Sequence, residues 1–83
     1  MIVHDEKKGV LEHREYKKFD YAKTNVQLKQ SQGVLFVDVR KWFKNMENNE
    51  WHSTKSGILL EIEDWVHILP LIQELVSANI QKR

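Results

Sequence analysis

The chain predicts an α+β domain: a four-stranded antiparallel sheet followed by one C-terminal helix, in the order ββββα. Two observations carry this. Apolar side chains alternate with polar ones at a period of two in the first two thirds, and they recur every three to four residues after Glu63.

Residues 1–20 mix charges of both signs with little periodic apolar content, so they read as a charged N-terminal arm with at most a short strand near Val10 and Leu11. The folded domain is expected over 21–83. From Thr24 to Lys29, Val26 and Leu28 alternate with Gln27 and Lys29, as in a half-buried strand. Gln30 to Gly33 supply a turn. Val34 to Phe43 is the longest strand: Leu35, Val37, Val39, Lys41 and Phe43 fall on one face, and Phe36, Asp38, Arg40 and Trp42 on the other. Lys44 to Asn49 is a polar loop, Trp51 and His52 form a short third strand, Ser53 to Ser56 a turn, and Gly57 to Ile62 the fourth strand. The helix then opens near Glu63, with Trp65, Ile68, Leu69, Ile72, Leu75 and Val76 in its apolar stripe. Pro70 lies inside that stripe, where its missing N–H predicts a kink or break near Leu69.

Composition bounds the function. Eighty-three residues make one small domain, and so short a chain buries a modest core by itself. The absence of cysteine excludes disulfides, thiolate zinc sites and cysteine nucleophiles. The longest unbroken apolar run is Val34 to Val37, far short of the roughly 20 residues of a membrane span. With no apolar leader at the N-terminus, the expectation is a soluble intracellular protein of the cytoplasm or nucleus. The four histidines lack ligand spacing, and the three glycines stand apart, so neither a metal site nor a phosphate loop is expected. No cofactor, small-molecule substrate or enzymatic activity is expected either.

Thirteen Lys and Arg against twelve Asp and Glu give a net charge of +1. The charge is unevenly distributed. Residues 1–57 hold 11 basic and 8 acidic side chains, whereas 58–83 hold 2 and 4. Within the basic part, Arg40, Lys41, Trp42, Phe43 and Lys44 follow one another, with Lys29 before them and Trp51 and Lys55 after. Cations neutralise phosphates and flat rings stack on unpaired bases, each stacked base contributing about 1 to 3 kcal/mol. The same residues also suit an ordinary strand with one solvated face, and strict alternation sets Phe43 opposite Arg40 and Trp42.

The segment VDVRKWF, followed by a polar loop and STKSGILLEIEDW, resembles the positive cofactor four family of transcriptional coactivators. In that family a strand reading (I/V)DIR-x-(Y/W)-(W/F) precedes a P-T-(K/R)-K-G-(I/V)-S-L loop and a helix opening near E-x-W. The resemblance spans about residues 22–76, with Asp38, Arg40, Trp42, Phe43, Thr54, Lys55, Gly57, Ile58, Leu60 and Trp65 in register. It implies a homodimer of curved sheets that binds single-stranded DNA, including locally melted duplex, with little sequence preference, in transcription or in replication, recombination and repair.

Carried over by position, Arg40 matches a phosphate-contacting arginine, Lys29 a basic residue late in a strand, Phe43 the stacking aromatic, and Lys55 one of a basic pair. Ser56, Ser53 and Ser31 depart from the family's second lysine, its proline and a stacking phenylalanine found in some members. Lys23, Lys44, Trp42 and Trp51 are the candidates to compensate. The expected interface with DNA is therefore Lys23, Lys29, Arg40, Trp42, Phe43, Lys44, Trp51 and Lys55. The expected dimer interface is Trp65, Ile68, Leu69, Ile72, Leu75 and Val76. The rival expectations are a dimeric module that recruits a polymerase or replication factor without touching nucleic acid, and a duplex-binding architectural protein.

Overall fold

The computed structural model describes residues 9–80. Four strands, β1 (Val10–Phe19), β2 (Ala22–Ser31), β3 (Val34–Asn45) and β4 (Glu50–Glu61), precede one helix, α1 (Ile62–Ile80). The strands form a single antiparallel sheet in sequence order. The expected ββββα order is observed, but two of the four strands are not those anticipated.

The first correction concerns the arm. Residues 1–8 lie outside the described residues, and of 9–20 nearly all belong to β1, which pairs with β2 from Val10↔Lys29 to Phe19↔Ala22. The domain boundary expected after residue 20 therefore falls inside a hairpin. The second correction joins the short strand at Trp51 to the one beginning at Gly57, since β4 runs through both. The turn expected at Ser53 to Ser56 is an irregularity within that strand, where Arg40 pairs with Gly57 and Trp42 with Ser53. Three residues of β4 thus face Lys41 alone, a special bulge with one residue more than the usual two against one.

Strands β2 and β3 pair without interruption from Ala22↔Phe43 to Ser31↔Val34. Their connection, Gln32 and Gly33, has φ of 53° and 80°, the doubly left-handed pair whose twist suits a two-residue hairpin. Because directly paired residues share a face, the register sorts the sheet into two sides. One carries His13, Glu15, Lys17, Lys23, Asn25, Gln27, Lys29, Phe36, Asp38, Arg40, Trp42, Lys44 and Trp51; it is polar. The other carries Tyr16, Val26, Leu28, Leu35, Val37, Val39, Phe43, Ile58 and Leu60; it is mainly apolar.

The helix runs unbroken through Pro70, so the break expected near Leu69 does not occur. The carbonyl that Pro70 leaves without a helical donor belongs to Val66, a solvent-exposed residue, where water can satisfy it. Glu63 and Asp64 sit in the first turn, at the positive end of the helix dipole. Trp65 anchors the helix. Its indole Nε1 donates to the Val37 carbonyl at 2.9 Å, and among the described residues it is the one buried apolar side chain. No described helix is long and apolar enough to cross a membrane.

Candidate nucleic-acid interface

On the polar face the floor is made of side chains that would ordinarily seek water: Asn25, Gln27 and Asp38 are all buried. Long side chains of neighbouring residues bond to Gln27 and Asp38, whereas Asn25 Oδ1 is buried without a hydrogen-bond partner. Gln27 Nε2 donates to His13 Nδ1 at 3.2 Å, and the other ring nitrogen of His13 lies 3.3 Å from Glu15 Oε1. A neutral imidazole protonated at Nε2 satisfies both contacts. Glu15 in turn accepts from Lys23 Nζ at 3.1 Å. This bond, helped by the one from His13, holds the Glu15 carboxyl below its ordinary value.

Further along the same face, Asp38 gathers two of the expected phosphate ligands. Arg40 Nε and Nη2 donate to its two oxygens at 3.3 and 3.2 Å, and Lys29 Nζ stands 3.5 Å from Oδ2. Arg40 is fixed at a third point, since Nη1 donates to the Thr54 carbonyl at 2.9 Å. The bulge makes this possible by turning that carbonyl out of the ladder. Thr54 also closes the bulge: its hydroxyl donates to the Lys41 carbonyl at 2.9 Å and accepts from the Ser56 N–H at 3.1 Å. Gly57, paired with Arg40, leaves room for the guanidinium to cross β4. A Cβ there would lie 2.7 Å from Arg40 Cζ and 2.9 Å from its Cβ and Cγ.

The loop end of the polar face holds the rings. Lys23 Nζ stands 4.5 Å from the centroid of the Trp51 ring and Lys44 Nζ 5.8 Å from it, with Trp42 between Lys23 and Ser53 in the register. The indole of Trp51 thus has two cations within reach of its ring, each attracted to the π system.

Six of the eight expected DNA-contacting residues, Lys23, Lys29, Arg40, Trp42, Lys44 and Trp51, share this face. Lys55 sits exposed in the bulge of β4. Phe43 is separated from the group. The uninterrupted β2–β3 register keeps it on the opposite face from Arg40, paired with Ala22 and His52.

The carboxylates that partner the cations, Glu15 and Asp38, were not singled out from sequence as site residues, because their role depends on cross-strand register. Tyr16, Phe19 and Tyr21, interleaved with Lys17, Lys18 and Lys23, repeat the basic and aromatic signal of residues 40–44. Reading residues 1–20 as an arm concealed that signal.

Of the expected dimer residues, Trp65 is committed to its own chain. Ile68 is partly covered, while Leu69, Ile72, Leu75 and Val76 are exposed. Among the described residues no cluster of three or more His, Asp or Glu side chains could hold a metal ion.

No protein-family model and no curated protein matches the chain. Among solved structures it is similar to a bacteriophage T5 homolog of the eukaryotic transcription coactivator PC4 that is implicated in recombination-dependent DNA replication. The two share 20% sequence identity with a TM-score of 0.64, over 88% of this chain and 92% of that one. The likeness shows a common fold, and at that level it bears out the resemblance read from VDVRKWF and STKSGILLEIEDW.

Proposed function

We propose that the chain is a non-catalytic protein that binds single-stranded DNA through the polar face of its sheet. The observation that carries the reading is the composition and order of that face. Lys29 and Arg40 are both paired with Asp38, and Lys23 and Lys44 lie near the Trp51 ring beside Trp42. Cations for phosphates thus stand next to rings for bases on one rigid surface, which suits an unpaired strand and gives no readout of base edges. The shared fold with a PC4 homolog implicated in recombination-dependent replication supports a role in DNA metabolism, in transcription or in replication and recombination.

The same reading makes the protein a homodimer. Leu69, Ile72, Leu75 and Val76 are each 44 to 66% exposed on one stripe of α1, and the chain buries one apolar side chain of its own among the described residues. Pairing two such stripes removes apolar surface from water at about 25 cal/mol per Å².

Fluorescence anisotropy with labelled oligo(dT), compared with duplex of equal length, tests the proposal. The expected result is preferential oligo(dT) binding that weakens with salt, with a logarithmic slope near 0.7 per phosphate contacted. Equal or tighter duplex binding would favour an architectural role. No anisotropy change and no tryptophan quenching at low salt would leave the polar face without a nucleic-acid ligand and favour a protein-recruitment module.

A further inference from the structure

Strand β1 forms one edge of the sheet, and among the described elements it meets β2 alone, because α1 packs on β3 and β4. From Leu11 to Phe19 its residues are exposed throughout. Its charges change sign along each face. On the apolar side Glu12 and Arg14, paired with Leu28 and Val26, bond to each other at 3.0 Å, and their side chains are 58 and 73% exposed. Between them His13 points to the polar side, where Gln27 and Glu15 of its own chain satisfy both ring nitrogens.

We propose that the outer edge of β1 pairs with β1 of a second copy of this chain, antiparallel, about a two-fold axis that passes through His13 perpendicular to the sheet. Such an axis keeps the two faces in common, so every residue meets one of its own face. Charge complementarity decides the occupant. Centred on His13, Glu12 of each copy opposes Arg14 of the other, and the two internal ion pairs close into a ring of four charges of alternating sign. Glu15 meets Leu11, which carries no charge. The other centres between Glu12 and Lys18 fail. Those on Glu12, Arg14, Glu15, Lys17 and Lys18 set a charge against its own copy, and the one on Tyr16 sets Arg14 against Lys18, and like charges directly opposite are destabilising. Charge on an edge strand deters pairing with arbitrary strands; here it admits one partner, the same strand, in one register.

The contact itself needs neither DNA nor the α1 stripe. It is short, so it is weaker than helix pairing and forms in concentrated solution. It merges two sheets into one that carries both polar faces on the same side. Each chain then has two different self-complementary surfaces, β1 and α1, through which dimers can extend into longer assemblies. Only the functional consequence, cooperative binding of neighbours along one single strand, rests on the reading above.

The test is made on the full chain without DNA, so its outcome is separate from that of the oligo(dT) experiment. The chain has no cysteine, and any disulfide formed by His13→Cys therefore joins two copies. Directly opposed Cα atoms lie about 4.5 to 5.5 Å apart, within disulfide range. In Tyr16→Cys the substituted position opposes Val10 and lies about 20 Å from its own copy. Expected are concentration-dependent crosslinking of His13→Cys under mild oxidation and little of Tyr16→Cys. In sedimentation velocity at high concentration, Glu12→Arg and Arg14→Glu should each lose the species larger than the α1 dimer, and the double reversal Glu12→Arg/Arg14→Glu should regain it. Both positions are exposed, so the reversals decide the matter should His13→Cys fail to fold. Equal crosslinking of the two cysteine variants, crosslinking of Tyr16→Cys alone, or sedimentation of the unaltered chain that does not change with concentration overturns the proposal. So does a single reversal that leaves the larger species in place, or a double reversal that fails to restore it.

Discussion

Gly57→Ala tests whether the arrangement around Arg40 is a coupled unit. The φ of Gly57 is not in the left-handed region, so alanine is acceptable to the backbone, and by itself the change stabilises by about 0.4 to 1 kcal/mol through the unfolded chain. The new Cβ would, however, come within 2.7 to 2.9 Å of three Arg40 atoms. Two of these, Cβ and Cγ, lie close to the backbone and cannot swing away cheaply. Arg40 must change rotamer, giving up its bond to the Thr54 carbonyl and its two contacts to Asp38, whose side chain is 6% exposed. Hydrogen bonds to charged groups contribute about 1.5 to 3 kcal/mol, so the net loss should be about 1 to 2 kcal/mol, or roughly 5 to 15 °C in Tm for a domain of this size. In an Arg40→Ala background the approaches to Cγ and Cζ are gone and only the 2.9 Å approach of the two Cβ atoms remains, so Gly57→Ala should then cost far less than in the unaltered chain. Urea denaturation of the four proteins gives the coupling, expected near 2 kcal/mol. Additivity within about 0.5 kcal/mol would show that Gly57 does not position Arg40 and refute the reasoning.

Three further outcomes are expected. Ile72→Glu should convert a dimer to a monomer in sedimentation velocity while far-UV circular dichroism stays unchanged; a species that remains dimeric would move the interface away from the α1 stripe. Lys23→Met should raise the Glu15 pKa toward the ordinary carboxylate value, read by NMR titration. Because the folded value is depressed, this group's small contribution to stability is present above the ordinary value and lost as pH falls through the lowered one. That acid-side loss should shrink in Lys23→Met, and an unmoved Glu15 titration would contradict the pairing. Trp65→Phe removes the donor to the Val37 carbonyl and part of the one apolar side chain buried among the described residues, and should cost about 1 to 3 kcal/mol in urea denaturation; an unaltered midpoint would mean that α1 is anchored elsewhere.

Legibility in the sequence followed whether the signal was local. Strand β3 and its two faces could be read directly because Leu35 to Phe43 alternate, and the separation of Phe43 from Arg40 was already implicit there. Strand β1 was missed because it is an edge strand of dense mixed charge, whose inner side pairs through His13 with Gln27 and Glu15 with Lys23 instead of through apolar contacts. The split of β4 reflects a bulge whose serines and threonine resemble turn residues. The cations of the site could be recognised as types. Their partners could not, because Asp38 meets Lys29, and Arg40 meets Thr54, through pairings set by the register of three strands.

The bulge has a consequence for the geometry of the whole loop end. Two extra residues opposite Lys41 preserve the parity of β4, so Ser53 and Trp51 emerge on the same side as Gly57. Had the excess been one residue, the side-chain period of two would have sent Trp51 to the apolar side, out of reach of Lys23 and Lys44, with Gly57 to Glu61 undisturbed. The length of the Thr54–Ser56 insertion thus acts as a counter whose evenness assigns the indole to a side of the sheet. Related chains that vary this count by one should exchange which surface carries their aromatic residue without any change in fold.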